Sequence, residues 1–296
     1  MCNADYIKAG KIASSIREKI KKKNLVGLTI YEICEEVENE IKLLGGKCAF
    51  PVNVSINDIA AHYTAEPNDQ KTISERDLVK IDLGVQINGY IADTATTVSY
   101  DYNDYELIEI TNNALKNAML IVEAGIKSNN ISKIIEETIK RAGYKAIVNL
   151  SGHSLDRYTI HSGKSISNIW SSEHFLFSTK QAYACEPFVT TKLGSGFVRE
   201  GNSRNIFALV SRKKTKNKEL DSFIEYIWNE FNMLPFSLRW INKYWDNKKS
   251  QILLNKLVNK KIVHAYPVLI ESSGQKVAQA EHTFIPMNDG VKIITE

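Results

Sequence analysis

The chain has 296 residues, 43% of them hydrophobic and 24% charged, a composition that excludes disordered and collagenous proteins. No apolar run approaches the ~18 residues of a membrane-spanning helix, which excludes that class as well. The 38 basic and 34 acidic residues leave a net charge of +4, too small to name a partner by itself.

In chain order, Ile7, Ile12, Ile16 and Ile20 recur at about a helical period, and Ile30, Ile33, Val37, Ile41 and Leu44 do so more cleanly. They predict two helices, with Gly45-Gly46 ending the second. Lys8, Lys11, Arg17 and Glu18 lie inside the first pattern, so it has no signal-peptide core. Residues 47–99 read as strands and turns. A helix carrying Leu107, Ile110, Ala114, Ala118 and Ile121 follows, then one carrying Ile131, Ile134, Ile135 and Ile139. After Gly143, residues 146–193 again read as strands. Two rounds of helix, helix and strands predict an α+β fold with pseudo-repeated halves.

Residues 203–265 differ in character. They hold thirteen Lys or Arg against five Asp or Glu, and three of the four tryptophans (Trp228, Trp240, Trp245). The net charge is therefore divided: +8 in this segment and −4 in everything else. Strand-like sequence returns at 266–271 and 277–285. The segment is therefore read as a basic helical insertion in a catalytic domain made of 1–202 and 266–296. Four cysteines (Cys2, Cys34, Cys48, Cys185) lack C-x-x-C spacing, which argues for a reducing, cytoplasmic setting and against a zinc ribbon or disulfide scaffold.

Chemistry enters with Leu78–Val98. Two β-rich runs flank Asn88-Gly89, a strong short hairpin signal. Counting outwards from that turn, Asp82 faces Ala95, so Asp82 and Asp93 share one face as diagonal neighbours. A solvated polar face is the plain alternative, but aspartate is depleted inside strands and the surroundings here are apolar. A cation between the two would repay the repulsion, and further ligands are at hand. Glu186 in A-Y-A-C-E-P-F-V-T-T and Glu281 in K-V-A-Q-A-E-H-T-F-I-P are charges inside apolar runs with almost no Lys or Arg to pair with. His153 and His161 bound the phrase H-S-L-D-R-Y-T-I-H. Four carboxylates and one imidazole suit two divalent ions such as Mn²⁺, Fe²⁺ or Co²⁺ better than a structural zinc. Such a pair points to hydrolysis of an amide or ester.

Five phrases in order, A-F-P-V-N-V-S-I-N-D-I-A-A-H-Y, D-L-G-V-Q-I-N-G-Y-I-A-D, G-H-S-L-D-R-Y-T-I-H-S-G-K, A-C-E-P-F-V-T-T and A-Q-A-E-H-T-F-I-P, span residues 48 to 286. In them the sequence resembles the type II methionine aminopeptidase family, in its archaeal form. The resemblance implies a pita-bread α+β fold and two divalent ions per chain (Co, Mn, Fe, Zn or Ni). It implies Asp82 on one ion, His153 and Glu186 on the other, and Asp93 and Glu281 bridging. His62 would contact substrate near the scissile nitrogen, His161 would stabilise the oxyanion, and Glu186 would shuttle the proton. Phe50, Ile160, Phe188 and Tyr266 would surround the methionine side chain, aromatics suiting a thioether. The implied substrate is the N-terminal methionine of nascent chains, with a small residue next. A cytoplasmic monomer is expected, free of membranes, with ribosome association through the basic segment as an added role. Cys185, beside Glu186, would be a site of oxidation.

Two other readings compete. A prolidase or X-Pro aminopeptidase shares the ligand pattern but usually carries an extra N-terminal domain, for which a first ligand strand within 82 residues leaves no room. Such enzymes also favour G-H-G-x-G, where this chain has Ser154 and Leu155 after His153. A non-catalytic relative that binds nucleic acid or the ribosome is opposed by the full ligand set.

Overall fold

The computed structural model describes residues 3–242 and 246–296; Cys2 and Trp245 lie outside them. The first predicted helix is α1 (Ala4–Lys22), started by the Asn3 side chain, which accepts the Asp5 amide. The second is α2 (Ile30–Leu43). It opens with a capping box, Thr29 Oγ1 accepting the Glu32 amide while the Glu32 carboxylate takes the Thr29 N–H. It closes as the two glycines require. Gly45, at φ +81°, donates to Lys42 O and Gly46 donates to Ile41 O, the paired bonds of a Schellman end.

Both helices share a core with an antiparallel sheet of Lys47–Cys48, Asn53–Ile56, Leu78–Ile87 and Tyr90–Ser99. The last two strands pair along their whole length, from Leu78↔Ser99 to Ile87↔Tyr90, and Asp82 lies opposite Ala95. Asn88 and Gly89 both have positive φ (51° and 88°), as a type I′ turn demands. The pattern then repeats. Helices α3 (Tyr105–Met119) and α4 (Ser128–Arg141) share a second core with an antiparallel sheet. Its strands run in the order Gly290–Ile293, His282–Met287, Ala182–Cys185, Ser151–Leu155 and Ser165–Ser167. The run 146–193 is less continuous than predicted. Between Ser167 and Ala182 the chain leaves the sheet and pairs instead with the loop before α4, through the bridge of Lys127 with Leu176 and the bond from Phe177 N to Ile126 O. Glu136 and Ser128 accept from the Trp170 and Phe175 amides.

The first sheet meets the second, together with a small sheet of Val277–Gln279, Phe188–Thr190 and Lys145–Ala146, where Tyr90–Ser99 runs beside Val277–Gln279 and His282–Met287. Threonine hydroxyls replace much of the backbone ladder there. Thr97 Oγ1 donates to Gln279 O and accepts from Gln279 N. Thr283 Oγ1 does the same for Asp93, and Thr94 Oγ1 donates to Glu281 O.

The segment 203–265 is not purely helical. Its helices α5 (Lys218–Phe231), α6 (Leu238–Ile241) and α7 (Asn247–Asn259) surround a sheet of Ile206–Leu209, Phe236–Ser237 and Val263–Tyr266. The last of these strands begins three residues earlier than its sequence pattern indicated, because Val263, His264 and Ala265 pair with Leu209, Ala208 and Phe207. Phe223, Ile227, Phe236 and Leu254 form a separate core. From α6, Arg239 reaches buried Glu38 of α2 with two bonds of 2.7 and 2.8 Å, and Trp240 Nε1 donates to the same carboxylate.

Candidate metal centre

One cavity of about 380 Å³ opens between the two sheets, and all eleven residues singled out from the sequence line it. Asp82 and Asp93 enter from the two arms of the long hairpin, as the count from Asn88-Gly89 required. His153 comes from the strand Ser151–Leu155, and Glu186 follows directly on Ala182–Cys185. Glu281 stands in the break between two strands, bridged to Ala95. The ligand atoms of Asp93, His153 and Glu281 all lie within 4.8 Å of one another. His153 Nε2 is 3.7 Å from Asp93 and 3.5 Å from Glu186.

The electrostatics of this cluster are those of a cation site. Burial, before anything else, pushes all four carboxyls upward, Asp82 to about 7 and the other three well above their ordinary range. The neighbouring negative charges add to the rise for Asp93, Glu186 and Glu281. Burial likewise drives His153 well down, keeping its imidazole neutral and able to ligate. Both carboxylate oxygens of Glu281, which is 2% exposed, find no hydrogen-bond partner among the described residues. Orphaned buried carboxylates beside a neutral imidazole are the donors a divalent cation takes.

Around this cluster the wall changes character. His62 follows the strand Ile59–Ala61 at φ +64°, an uncommon conformation for a non-glycine residue. Its Nδ1 lies 3.2 Å from Pro267 O, so the proton sits there and Nε2 is left to accept. Burial lowers its pKa to about 4. His161 packs edge-on against His153 with ring centroids 4.4 Å apart, and Tyr266 stands 5.5 Å from His62 in the same way. Phe50, Ile160 and Phe188 are buried. Gly84 leaves space for the first of them, because a Cβ there would meet the Phe50 ring at 2.3 Å.

Sequence reasoning missed Gln279, whose Nε2 lies 3.4 Å from Asp82 and 3.5 Å from Glu186. Its signal was present: Gln279 is two residues before Glu281 in the same apolar run. Asn53, which pairs with Asp82 across the sheet and lines the cavity, carried no comparable mark. The oxidation expected at Cys185 is not favoured. Its side chain is completely buried and burial raises the thiol pKa, which suppresses the reactive thiolate.

A buried carboxylate–imidazole cluster at the junction of two half-sheets marks a metal-dependent hydrolase. The model of metallopeptidase family M24 matches residues 4–206. The chain belongs to that family, whose fold is the pita-bread arrangement described above, and it uses divalent metal. It is 38% identical to a methionine aminopeptidase of Methanocaldococcus jannaschii over 290 residues, covering 98% of this chain and 97% of the relative. A methionine aminopeptidase of Thermococcus onnurineus is 40% identical, covering 98% of each. Among solved structures, that of a thermophilic Arx1 superposes with a TM-score of 0.82 at 18% identity, covering 99% of this chain and 91% of that one. This last likeness is one of fold.

Proposed function

We propose that this chain is a methionine aminopeptidase, releasing methionine from the N-terminus of polypeptides whose next residue is small. The observation that carries the reading is the convergence of five ligand groups on one cavity with an apolar wall, in a chain that resembles methionine aminopeptidases over nearly its full length. Asp82 would hold one ion, His153 and Glu186 a second, and Asp93 and Glu281 both. When bound, the ions would activate water and polarise the scissile carbonyl. The protein's own groups do the rest. Phe50, Ile160, Phe188 and Tyr266 receive the thioether side chain. His62 offers Nε2 to the scissile nitrogen, His161 donates to the developing oxyanion, and Glu186 passes the proton from water to the leaving amine. Metal content by elemental analysis, paired with release of free methionine from Met-Ala-Ser, tests this reading. Turnover confined to Ala-Pro and Met-Pro peptides would reject it in favour of a prolidase.

We also infer a cytoplasmic setting and a docking role near ribosomal RNA for the basic segment 203–265. Lys213, Lys214 and Lys216 are exposed there, whereas Arg212 is engaged with Glu225 and lies over Trp228. No described helix is long and apolar enough to cross a membrane. Ribosome co-sedimentation should weaken with salt and when these four residues are changed to Glu. Unchanged binding rejects the docking role.

A further inference from the structure

Asp93 and Glu281 face each other across the line where the two sheets meet, and little backbone ladder fixes their separation. The direct backbone link there is the bridge of Ala95 with Glu281, in which Glu281 N donates to Ala95 O at 3.2 Å. Threonine hydroxyls supply the rest. Strand alternation turns Thr94 and His282 away from the cavity, towards α1. Arg17 of α1 meets them there, 7% exposed. Its Nη1 lies 2.8 Å from Thr94 Oγ1, 3.0 Å from His282 Nδ1 and 2.7 Å from Thr295 O. Thr94 Oγ1 in turn donates to Glu281 O at 2.8 Å. The other edge of the guanidinium is held by Glu18 Oε1 at 3.1 and 2.9 Å. The helix is seated closely here, since Gly10 lies so near Ile294 that a Cβ would meet its carbonyl oxygen at 2.0 Å.

We propose that Arg17 is a positioning residue for the metal centre. Its Nη1, with the rest of the guanidinium anchored on Glu18, ties the residue after Asp93 to the residue after Glu281 and so sets the width of the gap those two carboxylates span. The role rests on the reading of Asp93 and Glu281 as ligands. It acts through the backbone, from the side opposite the cavity, and touches no substrate.

The test is calorimetric titration of Mn²⁺ into the metal-stripped full chain. Arg17→Met and Thr94→Val should each weaken binding by about tenfold, the scale of support-residue losses at metal sites. The double variant should lose little more than either single one, because both break one linkage. Ile16→Ala, on the same helix and 1% exposed, should lower the unfolding midpoint while leaving the Mn²⁺ affinity within about twofold, since it removes packing alone. Should Arg17→Met fail to fold, Thr94→Val carries the comparison. Unaltered affinity in Arg17→Met or Thr94→Val overturns the role, as does an equal loss in Ile16→Ala. Absence of Mn²⁺ binding in the wild-type chain overturns the ligand reading beneath it, and that is seen before any variant is made.

Discussion

His161 and Glu271 show two different uses of a single polar side chain. His161 lines the cavity without belonging to the close ligand cluster. His161→Ala should therefore keep its metal by elemental analysis and lose about 10²- to 10³-fold in kcat, the usual loss on removing an oxyanion donor. Full activity would withdraw the role. Glu271 is completely buried, and burial alone would raise its carboxyl. Donors from Ser195, Ser273 and Gln275 outweigh this and hold it down at about 2, against an ordinary 4.5. A depressed carboxyl contributes stability above its unfolded value, and that contribution drains away as pH falls from about 4.5 to about 2. Its size is about 3 kcal/mol. Urea midpoints of wild type and Glu271→Gln should therefore differ most at pH 6 and converge towards pH 2. A gap independent of pH contradicts this account.

At the scale of elements, the sequence was most legible where structure is local. The Asn88-Gly89 turn dictated the pairing of twenty residues, and with it the shared face of Asp82 and Asp93. The capping box at Thr29 and the glycines after α2 were equally local. Gly89 carries a second constraint that no local pattern shows. A Cβ there would lie 2.5 Å from the Tyr158 ring, and Gly89 O accepts the Tyr158 amide in the loop that leads to His161. Gly89→Ala should cost about 1–3 kcal/mol in urea unfolding, from strain at positive φ and this clash. Arg239 and Glu38 were illegible for a related reason: they are 201 residues apart, and nothing near either one announces the other. Arg239→Met leaves the Glu38 carboxylate buried without its counter-charge, with only the Trp240 and Val52 N–H groups among the described residues donating to it, so about 3–5 kcal/mol should be lost. A loss below 1 kcal/mol would mean that α6 is held mainly by its apolar contacts.

At the scale of the molecule, two helix-and-sheet rounds were visible as repeated hydrophobic periodicity, and the basic segment as a shift in composition. What joins the parts was not visible. Arg17 looked like one charge on an amphipathic helix, yet it is buried against Thr94. Nothing in the sequence singled out Lys80, which is 1% exposed and donates to Asn57 O and Val277 O across the junction of the sheets. Such residues take their meaning from partners that only the folded chain supplies.

The placement of the five groups proposed as ligands has a thermodynamic consequence. They are drawn from positions 82 to 281, and either half alone carries too few to hold an ion well. An ion that meets them all can only meet the native state, so the ion and the fold stabilise each other. At a free metal concentration a hundred times Kd, the gain is about 2.7 kcal/mol. The urea midpoint should therefore climb with added Mn²⁺ and fall back in EDTA, while Glu281→Gln should respond far less. When the metal supply runs short, such a chain loses folded population along with turnover, and its lifetime against proteolysis becomes a gauge of available metal.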